Sequence, residues 1–240
     1  MAEDQRPDPD RLLFYGRRRG RKLRPKAAQH LEDGLAAFAI DHGWLKAGEV
    51  ISPRALFDHD PEDIFLEIGF GGGEHLAARA AESPQCGFIG AEPFINGVAA
   101  LCGHIDTHGL GNVRIWPEDV RLLLPHFPDA GFAGAFILFP DPWPKFRHRS
   151  RRILQKPLLA EMKRLIRPGG TLLLASDEPV AKGWILEAMV NADGFEWQAS
   201  RPADWRQPPR GWPGTRYMAK AEREGRAPSW FLFRRTDDNP

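Results

Sequence analysis

The stretch IFLEIGFGGGEHL, residues 64–76, gives the clearest indication of the fold of this chain. A short apolar run comes first, glycines follow at Gly69, Gly71 and Gly73, and a helical pattern begins directly after them. Glycines let the backbone turn sharply and approach a ligand closely. A strand, a glycine turn and a helix in this order predict the first unit of a parallel α/β sheet.

The spacing of the glycines indicates the kind of ligand. A dinucleotide fingerprint needs G-x-G-x-x-G, but this chain has G-x-G-x-G, and Glu74 stands where the last glycine would be. A carboxylate at a helix start opposes a pyrophosphate, so a nucleoside without phosphates is favoured. S-adenosylmethionine is such a molecule, and its sulfonium and amino group are both cationic. We expect Glu67, at the end of the strand, to lie close to that cationic end.

Short apolar runs and helical segments alternate after this stretch. The runs GFIGAE, NVRIW, GAFILF and GTLLLAS predict four further strands, and amphipathic patterns predict helices near residues 74–82, 94–108, 151–166 and 179–192. Strands that alternate with helices indicate a parallel sheet with helices on both faces. The last two runs, GFEWQAS and SWFLFRR, have no full helix between them and predict an antiparallel edge hairpin. We therefore expect an α/β fold, a doubly wound, mostly parallel sheet of seven strands.

Acidic residues follow the second and third predicted strands. Glu92 comes about 20 residues after the glycines, where a ribose-binding acid belongs. Asp119 follows the third strand and suits the adenine amine. Taken singly, each acid is better explained as a helix cap or a first-turn residue. Because ligands bind beyond the carboxyl ends of parallel strands, three acids at three successive strand ends favour an adenosylmethionine site.

A rigid turn and a dense row of cations follow the fourth predicted strand, in FPDPWPKFRHRSRR, residues 139–152. Pro140 and Pro142 restrict the backbone on either side of Asp141 and should hold its carboxylate in one place. Trp143 offers a flat surface for stacking a base, although it also suits a core position. The cations behind the turn indicate contact with a nucleic-acid backbone.

Composition limits the remaining classes of protein. The chain has 240 residues, 42% hydrophobic residues and a net charge of only +1, with six cations concentrated in residues 17–24. We expect a flexible basic arm there, which binds nucleic acid or stays solvated. Two cysteines without a paired ligand set predict free thiols and no metal site. With no signal peptide and no membrane-spanning run, we expect a cytoplasmic protein that does not bind membranes. We expect a monomer, and the sequence leaves an oligomer open.

Four motifs together carry a family resemblance: LEIGFGGG, FPDPWPKFRHRSRR, LLLASDE and GTRY. They resemble the bacterial tRNA (guanine-N7)-methyltransferases over roughly residues 50–235, and the Pro-Asp-Pro-Trp motif is the most specific of them. The resemblance implies the class I S-adenosylmethionine-dependent methyltransferase fold, with residues 51–240 as that domain and residues 1–50 as the basic arm and a short helical lead-in. It also implies tRNA as partner and methylation of guanine N7 in the variable loop, at position 46.

The resemblance assigns roles to individual residues. Asp141 matches the family's catalytic aspartate and also a cofactor contact. The late family motif ends in a glutamate where this chain has Met218, which leaves any carboxylate contact there in doubt. The implied cofactor-binding residues are Glu67, Gly69, Gly71, Gly73, Glu92, Asp119 and Asp141, and the implied substrate-binding residues are Lys145, Arg147, His148, Arg149, Arg151, Arg152, Asp177, Thr215, Arg216, Tyr217 and Met218.

The chemistry of guanine N7 narrows the expected mechanism. N7 has a lone pair and no proton, so methyl transfer needs alignment rather than a general base. We expect Asp141 to orient the base and Lys145 and the arginines to hold phosphates. A long loop at 201–228, with cations among tryptophans, suits unpaired RNA, while each tryptophan taken singly fits a capping loop with its ring in the core equally well. Three alternatives stay open: an amino-methyltransferase acting on another RNA or on protein, a non-catalytic RNA-binding protein with this fold, and a nicotinamide enzyme.

Overall fold

The structure is a computed structural model that describes residues 15–44 and 49–237, with the backbone alone for Trp44, Arg216 and Tyr217. The predicted arm before residue 15 lies outside the described residues. Seven strands form one sheet: β1 (Ile64–Ile68), β2 (Gly87–Ala91), β3 (Val113–Trp116), β4 (Phe132–Leu138), β5 (Ile166–Ser176), β6 (Phe195–Trp197) and β7 (Ser229–Arg235).

The strand order is β3-β2-β1-β4-β5-β7-β6. The first five strands are parallel, and β7 runs antiparallel to both β5 and β6. The predicted doubly wound, mostly parallel sheet of seven strands with an antiparallel edge is therefore confirmed. The strand order reverses direction between β1 and β4, and in sheets of this kind ligands bind at that reversal.

Seven α-helices accompany the sheet in the described residues: α1 (Pro25–Phe38), α2 (Glu74–Glu82), α3 (Ile95–His108), α4 (Lys156–Leu165), α5 (Pro179–Val190), α6 (Ala203–Arg206) and α7 (Arg216–Arg223). The helix predicted near 151–166 begins later, at Lys156, because Pro157 suits a first helical turn and would break a helix interior. The long loop predicted at 201–228 contains α6 and α7. The Thr215 hydroxyl caps α7 by accepting a hydrogen bond from Met218 N.

Each face of the sheet buries its own apolar cluster. On one face, α4 and α5 pack over the inward side chains of β1, β4 and β5. On the other face, α2 and α3 cover β2 and β3, and α1 packs on α3. The rest of that second face, over β4, β5 and β7, is covered by Trp212 and Met218. None of the helices in the described residues is long and apolar enough to cross a membrane.

Both cysteines are free thiols in the core. Cys102 lies on α3 against Gly34 of α1, and burial raises the pKa of its thiol to about 11. The thiol is therefore neutral near pH 7 and acts as a small apolar side chain. In the described residues, no group of three or more His, Cys, Asp or Glu side chains could hold a metal ion.

Candidate active site

The glycine turn forms a cradle at the carboxyl end of β1. Gly69, Gly71 and Gly73 have φ values of 73°, 59° and 78°, in the left-handed region that favours glycine. A Cβ at Gly73 would come within 2.7 Å of Leu101, whereas a Cβ at Gly69 would meet no atom within 4 Å. Gly73 therefore permits close packing inside the protein, and Gly69 borders open space where a ligand can approach.

Glu92 connects this turn to the end of β2. Its Oε2 accepts a hydrogen bond of 2.8 Å from Gly71 N, and its Oε1 accepts one of 2.9 Å from Phe94 N. The close approach also depends on Gly97 of α3, where a Cβ would lie 2.0 Å from the carbonyl oxygen of Gly71. The sequence analysis did not identify Gly97, because only the tertiary approach of α3 to the turn shows its role.

Asp119 lies beyond β3 and is held by Arg121. The Arg121 guanidinium contacts both carboxylate oxygens, with Nε–Oδ1 at 3.0 Å and Nη2–Oδ2 at 2.5 Å, and Arg121 N also donates to Oδ1. These hydrogen bonds raise the pKa of Arg121. The expected contact between Asp119 and an adenine amine stays a prediction, and any such contact must share the carboxylate with Arg121.

Glu67 is buried at the end of β1 and pairs with His75 in the first turn of α2. The Glu67 Oε2 atom lies 2.6 Å from His75 Nδ1, and the two side chains are only 2% and 4% exposed. Because a carboxylate only accepts hydrogen bonds, Nδ1 carries the proton in this contact. The contact therefore determines which way the carboxylate points. Sequence analysis predicted Glu67 but missed His75.

The arrangement fits adenosylmethionine. Three neighbouring parallel strands carry the acids: Glu67 lies near the end of β1, and Glu92 and Asp119 follow β2 and β3. The three carboxylates therefore lie at the edge of the sheet formed by the carboxyl ends of the strands. Carboxylates suit the cationic sulfonium and amino groups and accept hydrogen bonds from ribose hydroxyls. The open space at Gly69 lies beside the same edge. The chemistry of these acceptors and the shape of the cradle agree with a cationic nucleoside.

The Pro-Asp-Pro-Trp turn begins next to this edge, at the end of β4. Phe139 and Trp143 have φ values of 49° and 38°, which are strained for bulky residues. Trp184 Nε1 donates a hydrogen bond of 3.0 Å to the Pro142 carbonyl and helps to hold the turn. Between these anchors Asp141 is exposed, and its carboxylate makes no hydrogen bond or ion pair with any residue that the structure describes.

The basic run forms a 3-10 helix, Phe146–Arg151, directly after the turn. Arg151 packs over the Trp143 ring at 5.0 Å and over the Tyr15 ring at 4.9 Å. Arg152 lies over Trp184 and donates to the Trp143 carbonyl at 3.4 Å. These two arginines therefore support the turn, a role that the sequence analysis did not assign to them.

The other predicted cations of the run point outward. Lys145, Arg147 and Arg149 are exposed, and Arg149 lies over the exposed ring of Phe146. Desolvation, followed by the charges of its cationic neighbours, lowers the pKa of His148. His148 is therefore neutral near pH 7, and the charge of this surface comes from the lysine and the arginines.

The described part of the arm crosses the same region. Residues 15–24 form no helix or strand, yet Ile95 N at the start of α3 donates to the Arg18 carbonyl at 2.9 Å. Gly20 N donates to Asn96 Oδ1 at 2.7 Å. Together with the contact between Tyr15 and Arg151, these bonds place the arm between α3 and the basic run.

The remaining predicted substrate residues lie on the later segments. The Asp177 carboxylate accepts a hydrogen bond of 2.7 Å from Arg226 Nε and forms an ion pair with it. Thr215 is buried and caps α7, while Met218 contacts Trp212. The side chains of Arg216 and Tyr217 lie outside the described part of the chain. No contact with a substrate is tested by this geometry, so these assignments stay predictions.

A cavity of about 130 Å³ lies at the opposite edge, near the amino ends of β1 and β4. Its charged lining residues are paired, since Arg167 binds Asp63 at 2.5 Å and Arg54 donates to backbone carbonyls and to Asp60. Ligands of parallel sheets bind at the carboxyl ends of the strands, so this cavity is not the candidate site.

Comparison with known proteins identifies the family. A family model described as "Putative methyltransferase" matches residues 61–229. The chain is 46% identical over 231 residues to a tRNA (guanine-N(7)-)-methyltransferase of Rhodospirillum rubrum, across 96% of this chain and 90% of that relative. It is 43% identical over 233 residues to a protein of the same name from Mesorhizobium japonicum, across 97% and 99% of the two chains.

A solved structure supports the fold. The 16S rRNA methyltransferase KamB superposes with a TM-score of 0.51 at 15% identity, over 78% of this chain and 99% of that chain. That likeness concerns the fold alone, while the identity to the curated relatives extends over almost the whole chain. The chain belongs to the tRNA (guanine-N(7)-)-methyltransferase family.

Proposed function

We propose that the protein transfers a methyl group from S-adenosylmethionine to N7 of a guanine in the variable loop of tRNA, at position 46. Family membership supports the reaction class. The observation that carries the proposal is Asp141, an exposed carboxylate without a described partner on a strained turn, beside a surface of exposed cations.

Asp141 acts on the base in this proposal. Guanine N7 attacks with its own lone pair, so the protein has no proton to remove from that atom. The Asp141 carboxylate accepts hydrogen bonds from guanine N1–H and from the 2-amino group, a donor pair that adenine lacks. The turn holds the carboxylate through the strained backbone at Phe139 and Trp143 and through the Trp184 hydrogen bond. The fold therefore fixes the orientation of the base before the reaction, so the entropy cost of aligning it does not add to the barrier.

The cations and acids around Asp141 serve the two substrates. Lys145, Arg147 and Arg149 face solvent and bind phosphates of the tRNA backbone. When bound, adenosylmethionine supplies an electrophilic methyl group on its sulfonium. Glu67, Glu92 and Asp119 are the residues that would hold it, because they lie at the edge where the glycine turn opens.

Base mapping tests the proposed reaction. The purified protein is incubated with methyl-labelled adenosylmethionine and an unmodified tRNA transcript, and the modified nucleoside is identified and located. We expect one 7-methylguanosine, in the variable loop, and no label in a transcript whose variable-loop guanine is replaced by adenine. Label on an exocyclic amine or on protein would establish the amino-methyltransferase alternative instead.

Asp141→Asn tests the role of the aspartate in the same assay. An amide keeps the size of the side chain but replaces one acceptor with a donor that faces the guanine N–H groups. We expect turnover to fall by about 100-fold, while affinity for tRNA, measured by filter binding, stays close to wild type. Asp193→Asn, at an exposed position between α5 and β6, is the matched control. Near-normal turnover of Asp141→Asn would disprove the orienting role.

A further inference from the structure

The face of the sheet beside Glu67 is covered by residues 212–218, the segment leading into α7 together with the first turn of that helix. Phe136 of β4 and Trp230 of β7 lie in the apolar cluster of this face, and Trp212 and Met218 pack against it. Sequence analysis offered two interpretations of the longer loop 201–228, a contact with unpaired RNA or a capping loop with tryptophans in the core. Trp212 matches the second interpretation, because it packs against this apolar cluster together with Met218.

A chain of three contacts runs from this segment to Glu67. The His75 ring, which holds the Glu67 carboxylate, has its centroid 4.9 Å from the Phe136 ring and 4.8 Å from the Trp212 ring. The first contact is edge-on, at 69°, and the second is tilted, at 35°. Two aromatic rings from different parts of the chain therefore restrict the rotation of His75, and this restricts the carboxylate that His75 binds.

Trp212 is itself held on two sides. Its Nε1 donates to Met218 Sδ at 2.9 Å, and its ring meets the Trp230 ring edge-on, with centroids 5.7 Å apart. Met218 stands where the resemblance to the family implies a glutamate. In this chain the position contributes a thioether that packs against the indole and accepts its N–H, so a carboxylate is replaced by an apolar support.

A small cavity shows that these parts meet at one place. Its lining includes Glu67, Gly69 and His75 from the glycine-turn side and Trp212 and Thr215 from the covering segment, and its volume is about 20 Å³. That volume holds about one water molecule. Trp212 and Thr215 therefore form part of the wall that lies directly beside Glu67.

We propose that His75, Trp212 and Met218 are positioning residues of the methyl-donor site: Met218 supports Trp212, Trp212 supports His75, and His75 aims the Glu67 carboxylate at the cationic end of adenosylmethionine. The segment leading into α7 then affects the binding of the methyl donor directly. It affects tRNA methylation only because methylation requires the bound methyl donor. This inference rests on the proposed function, because it takes adenosylmethionine as the ligand of Glu67.

Titration calorimetry with adenosylmethionine alone tests the histidine. His75→Leu fills the space but leaves the Glu67 carboxylate without its donor, so we expect Kd to rise by about 10-fold or more. His75→Asn places an amide N–H near the position of Nδ1, and we expect it to restore Kd to within about 3-fold of wild type. His59→Leu, at an exposed histidine before β1, is the control. All measurements are made well below each variant's melting temperature.

A second pair of variants tests the covering segment and does not depend on His75→Leu folding. We expect Trp212→Leu and Met218→Ala each to raise the Kd for adenosylmethionine by about 3-fold to 10-fold, with the Kd for tRNA unchanged. Met218→Leu keeps the packing volume and loses only the weak sulfur acceptor, so it should bind within about 2-fold of wild type. Trp197→Leu, at a tryptophan 41% exposed on the edge strand, is the control for loss of an indole.

The outcomes separate this inference from the proposed function. Failure of the wild-type protein to bind adenosylmethionine would refute the proposed function itself. Normal binding by wild type and equally tight binding by folded Trp212→Leu and His75→Leu would overturn the positioning role and leave the proposed function standing. Loss of tRNA affinity with an unchanged Kd for adenosylmethionine would also overturn it, because the segment would then be an RNA contact.

Discussion

Asp141 owes its position to residues on both sides of it. Phe139 and Trp143 adopt positive φ, a conformation that costs on the order of 1–3 kcal/mol for each residue. The hydrogen bond from Trp184 and the packing of Arg151 and Arg152 around Trp143 offset that cost. The turn is therefore strained locally and supported by the rest of the fold, as expected where one carboxylate must keep one direction.

The arginines of the basic run have different roles, either supporting the turn or facing solvent, and a substitution can distinguish these roles. Arg147 is exposed and, within the described part of the chain, makes no contact with the turn, so Arg147→Ala should remove one phosphate contact and nothing else. We expect the slope of log Kd against log salt for tRNA to decrease by about 1. Arg234→Ala changes an exposed arginine that pairs with Thr171 on β5, on the side of the amino ends of the parallel strands. This variant should leave the slope unchanged. An unchanged slope for Arg147→Ala would identify a merely solvated surface.

At the scale of elements, the site depends on how closely helices approach the glycine turn. Helix α3 reaches the turn because Gly97 lacks a Cβ, and α1 reaches α3 because Gly34 lacks one. At Gly34 a Cβ would lie 2.5 Å from Cys102 Sγ, closer than real Cβ contacts. Helix α1 therefore supports α3, and the amino end of α3 forms the hydrogen bonds with the basic arm.

Two helical glycines provide a matched test of this packing. Gly34→Ala in α1 must push α1 away from Cys102, and we expect the free energy of unfolding in urea to fall by about 1–3 kcal/mol. Gly183→Ala in α5 meets no atom within 4 Å, so it should gain about 0.5–1 kcal/mol from helix propensity alone. Equal changes in the free energy of unfolding of the two variants would contradict the close approach of α1 and α3.

At the scale of the molecule, the strand order brings the separate motifs together. The glycine turn follows β1, the Pro-Asp-Pro-Trp turn follows β4, and these two strands are neighbours in the sheet. The reversal of strand order between them opens a crevice at their carboxyl ends. The proposed donor site and the proposed base-orienting aspartate are neighbours for this reason, although about 70 residues separate the two turns in the chain.

Ligand-linked stability tests this crevice in the whole protein. A ligand that binds only the folded state at 100 times its Kd stabilises it by about 2.7 kcal/mol, and for a chain of this length Tm rises by about 5 °C or more. We expect that rise with adenosylmethionine and none with ADP, because Glu74 at the start of α2 opposes a pyrophosphate. Equal rises with the two ligands would mean that the site accepts phosphates.

The features that could be predicted are those that depend on residues adjacent in the sequence. Hydrophobic runs predicted the strands, and glycine spacing predicted a turn that the structure shows with positive φ at Gly69, Gly71 and Gly73. The helix predicted from residue 151 was wrong at its start, because the basic run forms a 3-10 helix and α4 begins only at Lys156. Two short helices in the segment 201–228 were missed, because their patterns are shorter than the period analysis resolves.

Local sequence patterns were sufficient to predict the strands, the glycine turn, the acids at the strand ends and the rigid turn at Asp141, because each depends on residues adjacent in the chain. The folded structure was needed to show that Arg121 holds Asp119, that Arg226 pairs with Asp177 and that Trp212 packs on His75. The last two contacts join residues far apart in the chain, and the first depends on a side-chain rotamer. Such contacts follow from strand order and packing, which no local pattern encodes.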